Sequence, residues 1–139
     1  MEFNGDYMQP LVRILYAEDE PDIQQVVSLI LNEFGGFILK VCSSGVEAVN
    51  EIEAFEPQLL LLDVMMPDLD GLDALKEIRK IPAYREIPVI FLTAKVHPDE
   101  VQDYFEMGAL EVIFKPFDPI TLVEQIRQAW AKVSCSASS

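Results

Sequence analysis

The sequence predicts an α/β protein: a parallel five-stranded sheet with helices on both faces. Two observations lead there. Apolar runs of strand length alternate with stretches of helical period, five times along the 139 residues. Two of those runs, LLLLDV at 59–64 and PVIFLTA at 88–94, are apolar at nearly every position, as strands buried on both faces must be. Right-handed crossovers restrict the topology further, although alternation alone leaves the strand order open.

The elements follow in order. LVRILYA (11–17) is the first strand and empties into Glu18-Asp19-Glu20. Pro21 and Asp22 suit a helix start, and Val26, Val27, Ile30 and Leu31 recur at helical spacing until Gly35-Gly36. FILKVCS (37–43) is less uniformly apolar, which fits a second strand nearer a sheet edge. Ser43, Ser44 and Gly45 lead into a helix with Val46, Val49 and Ile52 on one stripe, ended by Pro57. After the strand at 59–64 come a turn-rich loop, MMPDLDG, and a short helix, LDALKEIRK. The strand at 88–94 is followed by a loop with His97 and Pro98, then by DEVQDYFEMG, a helix closing at Gly108. LEVIFKP (110–116) is the fifth strand, and Asp118 or Thr121 caps the last helix, ITLVEQIRQAWAKV. Residues 1–10 are expected to form a flexible leader, 11–133 one domain and 134–139 a flexible tail.

A chain that is 50% hydrophobic buries one real core, and this argues against disorder despite a formal charge of -14. The 24 acidic against 10 basic residues disfavour direct nucleic-acid binding, which demands a basic face. Cys42 and Cys135 stand in no CxxC pattern, so neither a disulfide nor a metal role is assigned, and a reducing compartment fits. His97, the single histidine, is expected as loop surface. No apolar run reaches the roughly 20 residues that span a bilayer. The start MEFNGDYMQP lacks the basic and apolar segments of a signal peptide. The expected location is therefore cytoplasmic, with no membrane partner.

In a parallel sheet all the carboxyl ends point one way, and sites form outside them. Those ends deliver Glu18 and Asp19, then Asp63, Thr93 and Lys115. Singly, each has an ordinary structural reading as a turn former, cap or solvated side chain. Together, matching types at four strand ends define a crevice. Three clustered carboxylates repel, and one ammonium cannot balance them. A hard divalent ion with oxygen ligands can, and Mg²⁺ binds through few carboxylates plus a phosphoryl oxygen. Asp63 then suits a nucleophile forming an aspartyl phosphate. Metal, ammonium and hydroxyl suit the charge that builds on the phosphoryl oxygens.

These residues carry a resemblance. Glu18-Asp19, the run LLLLDVMMPDLDG ending at Gly71, FLTA with Thr93 and FKPF with Lys115-Pro116 make the chain resemble bacterial receiver domains of the two-component response-regulator type. It is similar to the stand-alone chemotaxis regulators over about residues 11–133. The resemblance implies a flavodoxin-like strand order of 2-1-3-4-5. It implies Asp63 as phosphoacceptor, with Thr93 and Lys115 as catalytic partners. It further implies Asp19 and Asp63 as direct metal ligands, Glu18 acting mostly through water, and Met65 contributing its backbone carbonyl. A cis Lys115–Pro116 peptide is implied too. The donor would be a phosphohistidine on a sensor histidine kinase or a histidine phosphotransfer protein. Downstream, a protein partner or a second copy in a homodimer would meet a face made by the fourth helix, fifth strand and fifth helix. Tyr104, Phe105 and Trp130 are the candidates for that face. No output domain follows, so the chain is either stand-alone or a piece of a larger protein.

Two departures stand out. The family often carries an aromatic residue three positions before the lysine, where this chain has Val112. Met65 and Lys95 occupy positions that tune self-dephosphorylation, and an apolar Met65 cannot orient a water, so a long-lived aspartyl phosphate is expected. Two other readings compete with a switch that catalyses only its own phosphorylation and dephosphorylation. A phosphatase of the haloacid dehalogenase class wants an aspartate two residues after the nucleophile, where Met65 stands. A non-phosphorylated pseudo-receiver scaffold wants a lost site residue, yet Asp19, Asp63, Thr93 and Lys115 are all present.

Overall fold

The structure, a computed structural model, describes residues 9–94 and 97–138, the side chains of 134–138 excepted. The expected leader, but for Gln9 and Pro10, lies outside the described residues, as do Lys95 and the side chain of Cys135. Five strands form one sheet: β1 (Arg13–Ala17), β2 (Ile38–Cys42), β3 (Leu59–Asp63), β4 (Val89–Thr93) and β5 (Ala109–Phe114). Every pairing is parallel and the order is β2-β1-β3-β4-β5. The connections are helical: α1 (Pro21–Leu29), α2 (Gly45–Phe55), α3 (Gly71–Arg79), α4 (Pro98–Glu106) and α5 (Pro119–Ser138).

Strand alternation divides the core in two. Leu15, Ala17, Leu60, Leu62, Val89 and Phe91 face Ala48 and Ile52 of α2, Leu75 and Ile78 of α3, and Tyr104 of α4. Ile14, Tyr16, Leu61, Leu92 and Ile113 face Val27 and Leu31 near α1 and Leu122, Val123 and Ile126 of α5. Every residue of β3 and β4 is buried, whereas β2, at the edge, is buried only at Cys42. The continuous and the diluted apolar runs thus fall at the centre and the edge, as their compositions require. Burying each large aliphatic side chain contributes about 1.5–3 kcal/mol, so the central strands anchor the fold.

Local chemistry fixes the helix ends. Ser44 Oγ accepts from Glu47 N at 3.0 Å, and Glu47 Oε1 accepts from Ser43 N at 2.9 Å. Asp118, rather than Thr121, caps α5: its Oδ1 accepts from Ile120 N and its Oδ2 from the Thr121 hydroxyl. Beyond one- or two-residue differences at strand and helix ends, the structure departs from the sequence reading in the following ways. α1 continues as a π-helical turn (Ile30–Phe34), with Gly35 N donating to Ile30 O. A short 3-10 turn (Pro82–Tyr84) precedes β4. β5 ends at Phe114, leaving Lys115 and Pro116 in the connection, and α5 runs beyond Val133 to Ser138. Among the described residues no helix is long and apolar enough to cross a membrane.

Candidate functional site

Register alone aligns the strand ends. Ala17 pairs with Leu62, Asp63 with Leu92, and Thr93 with Phe114. Glu18 N still bonds to Cys42 O at 3.0 Å, so the chain stays in the ladder one residue beyond β1. Glu18, Asp63 and Thr93 are all buried there. Lys115 N donates to Thr93 O at 2.9 Å, which ties the β5–α5 connection to the end of β4. The Lys115–Pro116 peptide is cis.

The loop after β3 is held on three sides. Met65 N donates to Asp63 Oδ1 at 3.1 Å, and Gly71 N to Val64 O at 3.0 Å. A Cβ on Gly71 would stand 2.5 Å from Asp63 O, so only glycine lets α3 start against the backbone of Asp63. One on Gly45 would stand 2.0 Å from Leu69 O, where α2 meets the same loop. Asp68 crosses to that helix, its two oxygens accepting from Gly45 N at 3.3 Å and Val46 N at 3.2 Å. Burial works to raise the Asp68 carboxyl, but backbone hydrogen bonds from Leu69 and Val46 win and hold it below the usual range.

The charged groups converge. Lys115 Nζ lies 2.9 Å from Asp63 Oδ2 and 3.1 Å from Glu18 Oε1. One carboxylate oxygen from each of Glu18, Asp19 and Asp63 lies within 4.8 Å of the others. Burial, then hydrogen bonding and repulsion from Asp63, pushes Glu18 up to about 7, and Lys115 offsets this only in part. Lys115 is itself held up: burial lowers it, but Asp63 and Glu18 outweigh burial. The crevice is therefore short of positive charge, and its donors are hard oxygens. A divalent cation such as Mg²⁺ fits both requirements.

One residue escaped the sequence reading. Tyr16 is fully buried, and its hydroxyl has no hydrogen-bond partner among the described residues. Burial, then Glu18 and Asp63, pushes that hydroxyl upward. The available signal was a tyrosine in an aliphatic strand, two residues before Glu18. Cys42, by contrast, is a buried thiol pushed up to about 12, chiefly by burial, and is inert by the same physics.

The family model of the response regulator receiver domain matches residues 14–127. The chain belongs to the response regulator receiver family. Response regulator Rre1 of Synechocystis sp. is 30% identical over 129 residues, covering 92% of this chain and 55% of that protein. An uncharacterized 14.6 kDa protein of Leptolyngbya boryana is 32% identical, covering 87% and 93% of the two chains. The chain thus spans about half the length of the first relative and nearly all of the second. Among solved structures, chemotaxis protein CheY4 of Vibrio cholerae superposes with a TM-score of 0.79 at 27% identity, over 86% of this chain and 99% of that one.

As a receiver domain the chain has a modified neighbourhood around its site. Val112 is buried and registered with Phe91, whose ring centroid lies 5.6 Å from that of Tyr104. Tyr104 is therefore a core residue, not part of an exposed face. Trp130 is half-buried, and its Nε1 donates to Gln9 O at 2.9 Å. Of the three aromatic candidates, Phe105 alone is exposed. Met65 is exposed beside Asp63. An open apolar cleft of about 520 Å³ adjoins Lys115, lined by Ile23, Val26 and Val27 on one side and by Pro116, Phe117 and Pro119 on the other.

Proposed function

We propose that the chain is a phosphoryl-accepting switch of a two-component phosphorelay, with Asp63 as acceptor and Mg²⁺ as cofactor. The observation that supports it most is the Lys115 ammonium 2.9 Å from Asp63 Oδ2, beside carboxylates of Glu18 and Asp19 close enough to share one cation. Asp19, Asp63 and the Met65 carbonyl would hold the ion directly, with Glu18 behind them. When bound, Mg²⁺ supplies positive charge to the phosphoryl oxygens in transit.

A carboxylate oxygen of Asp63 attacks phosphorus, forming an O–P bond while the N–P bond of a phosphohistidine breaks and the imidazole leaves. Lys115 and Thr93 hold the phosphoryl oxygens through the transfer. In hydrolysis a water attacks the same phosphorus, restoring the carboxylate and releasing inorganic phosphate. The chain turns over no other substrate on this reading. Sensor histidine kinases and histidine phosphotransfer proteins are the donors, and the apolar cleft beside Lys115 offers such a protein a seat. The phosphorylated state draws on Lys115 and Thr93, and so on the ends of β4 and β5. That biases a two-state arrangement of the α4–β5–α5 face, where Phe105 stands exposed. A downstream partner or a second copy reads that face, and the setting is the cytoplasm.

Intact-mass measurement after incubation with a small acyl phosphate and Mg²⁺ tests the proposal. The expected result is a gain of one phosphoryl group, absent in Asp63→Asn and absent in chelator. No gain in the parent protein would favour the pseudo-receiver scaffold instead. The exposed thioether of Met65 cannot orient an attacking water, so the adduct is expected to decay over minutes or longer. Decay within seconds in Mg²⁺ would contradict that role for Met65.

A further inference from the structure

Tyr16 and Glu18 lie on the same side of β1, because side chains alternate and the ladder continues through Glu18 N. The Tyr16 ring fills the core between the sheet and the Val27–Leu31 segment. A leucine or phenylalanine would fill that space without stranding a hydroxyl. Buried phenol hydroxyls nearly always find a partner, so one without needs a reason. The reason is at hand in the same crevice. Glu18 Oε1 is also buried and also lacks a hydrogen-bond partner, although it faces the Lys115 ammonium at 3.1 Å. Glu18 Oε2 already accepts from Glu20 N and Lys115 Nζ, each at 3.3 Å. The Tyr16 hydroxyl, turned toward Glu18 without a well-formed hydrogen bond, and Glu18 Oε1, paired only by charge with Lys115, therefore lie on one face, two residues apart. Burial acts most on the Tyr16 hydroxyl, then the charges of Glu18 and Asp63, and then a Glu18 oxygen near enough to take part in hydrogen bonding.

We infer that Tyr16 is a positioning residue of this site: its hydroxyl donates to Glu18 Oε1 when a cation is bound and turns the other carboxylate oxygen toward Asp19 and Asp63. The inference rests on reading the carboxylate cluster as a cation site. Tyr16 touches neither the phosphoryl group nor the ion; it acts through Glu18. Substituting Phe keeps the ring and its packing and removes the hydroxyl alone.

Calorimetric titration of the full chain with MgCl₂, parent against Tyr16→Phe, tests this together with melting curves in chelator. Loss of one hydrogen bond to a charged group is expected to weaken Mg²⁺ binding three- to tenfold. The melting temperature in chelator should hold or rise, since a hydroxyl without a partner is what has been removed. Affinity within twofold of the parent would overturn the inference. So would a lower melting temperature in chelator, which would make the hydroxyl a support of the fold. If the parent takes up no Mg²⁺ at millimolar concentration, the cation site itself falls and takes the role of Tyr16 with it.

Discussion

The two ends of the central strands carry polar clusters of opposite character. At the amino end, Gln58 Oε1 accepts from Val12 N at 2.7 Å and Arg13 N at 2.9 Å, and Gln58 Nε2 donates to Pro10 O at 3.0 Å. Arg13 Nε donates to Phe55 O at 3.0 Å and Glu56 O at 3.2 Å, where α2 ends, with its guanidinium 4.3 Å from the Phe55 ring centre. These side chains have partners already in place. At the carboxyl end the Tyr16 hydroxyl has no hydrogen-bond partner among the described residues, Glu18 Oε1 has only the charge of Lys115 at 3.1 Å, and two buried carboxylates share that one ammonium. Satisfied polar groups fix the backbone; unsatisfied ones leave room for an arriving charge. The amino end is built for rigidity, and on the proposed function the carboxyl end is built for a guest.

Removing Lys115 at one end and Arg13 at the other makes the contrast measurable. Lys115→Met leaves Glu18 and Asp63 buried without a counter-charge, and the metal-free protein should lose about 3 kcal/mol by denaturant titration. Millimolar Mg²⁺ should restore much of that, because an ion replaces the missing charge, while phosphoryl uptake falls at least tenfold. Arg13→Ala should remove about 2 kcal/mol through the lost carbonyl bonds and ring contact. Here Mg²⁺ should restore nothing and phosphoryl uptake should be unchanged. If Mg²⁺ rescued both variants equally, the two ends would not differ in kind.

How far the sequence revealed this contrast depended on what each residue's neighbours in the chain could disclose. The continuous runs of β3 and β4 announced central strands, because only burial on both faces tolerates them. Once the strands were parallel, Asp63, Thr93 and Lys115 had to share an edge. Strand order lay beyond periodicity and came through resemblance. Tyr16 went unread because a tyrosine inside an apolar run counts as core, and it is core; only its spacing from Glu18 marked the hydroxyl. Tyr104 and Trp130 were candidates for an exposed face because helical aromatics look alike until the opposing sheet is known. The π-helical turn at Ile30–Phe34 depends on how Gly35 meets Leu31 and Phe37, which no local pattern encodes.

The pH dependence of stability should separate the ends next. Glu18 is pushed up to about 7, chiefly by burial, so its folded form holds a proton more tightly than the unfolded chain does. Its contribution is fully present below the unfolded value of about 4.5 and is lost as pH rises through 7. The metal-free protein should therefore lose about 2 kcal/mol between pH 5 and 8. Each pH unit between the unfolded and folded values is worth at most about 1.36 kcal/mol, and the loss stays below that ceiling. Glu18→Gln should flatten the curve, as should Mg²⁺. A flat curve for the parent in chelator would mean that Glu18 ionises without penalty.

Asp68 asks whether position or satisfaction decides a residue's role. It stands near the carboxyl end, in the loop that leads away from Asp63, yet both its oxygens are bonded to the start of α2. It should therefore behave like the amino-end groups. Asp68→Ala is expected to remove about 1 kcal/mol, the usual value of a lost helix cap, and to leave Mg²⁺ affinity within twofold. Its sign with pH is opposite to that of Glu18. A carboxyl held below its ordinary value stabilises the fold above about pH 4, and that contribution is lost as pH falls further toward its folded value. The parent and Asp68→Ala should thus differ at pH 7 and converge at the acid end. A variant that lost Mg²⁺ binding along with stability would show that the loop, and not the partnering of its side chains, sets the boundary of the site.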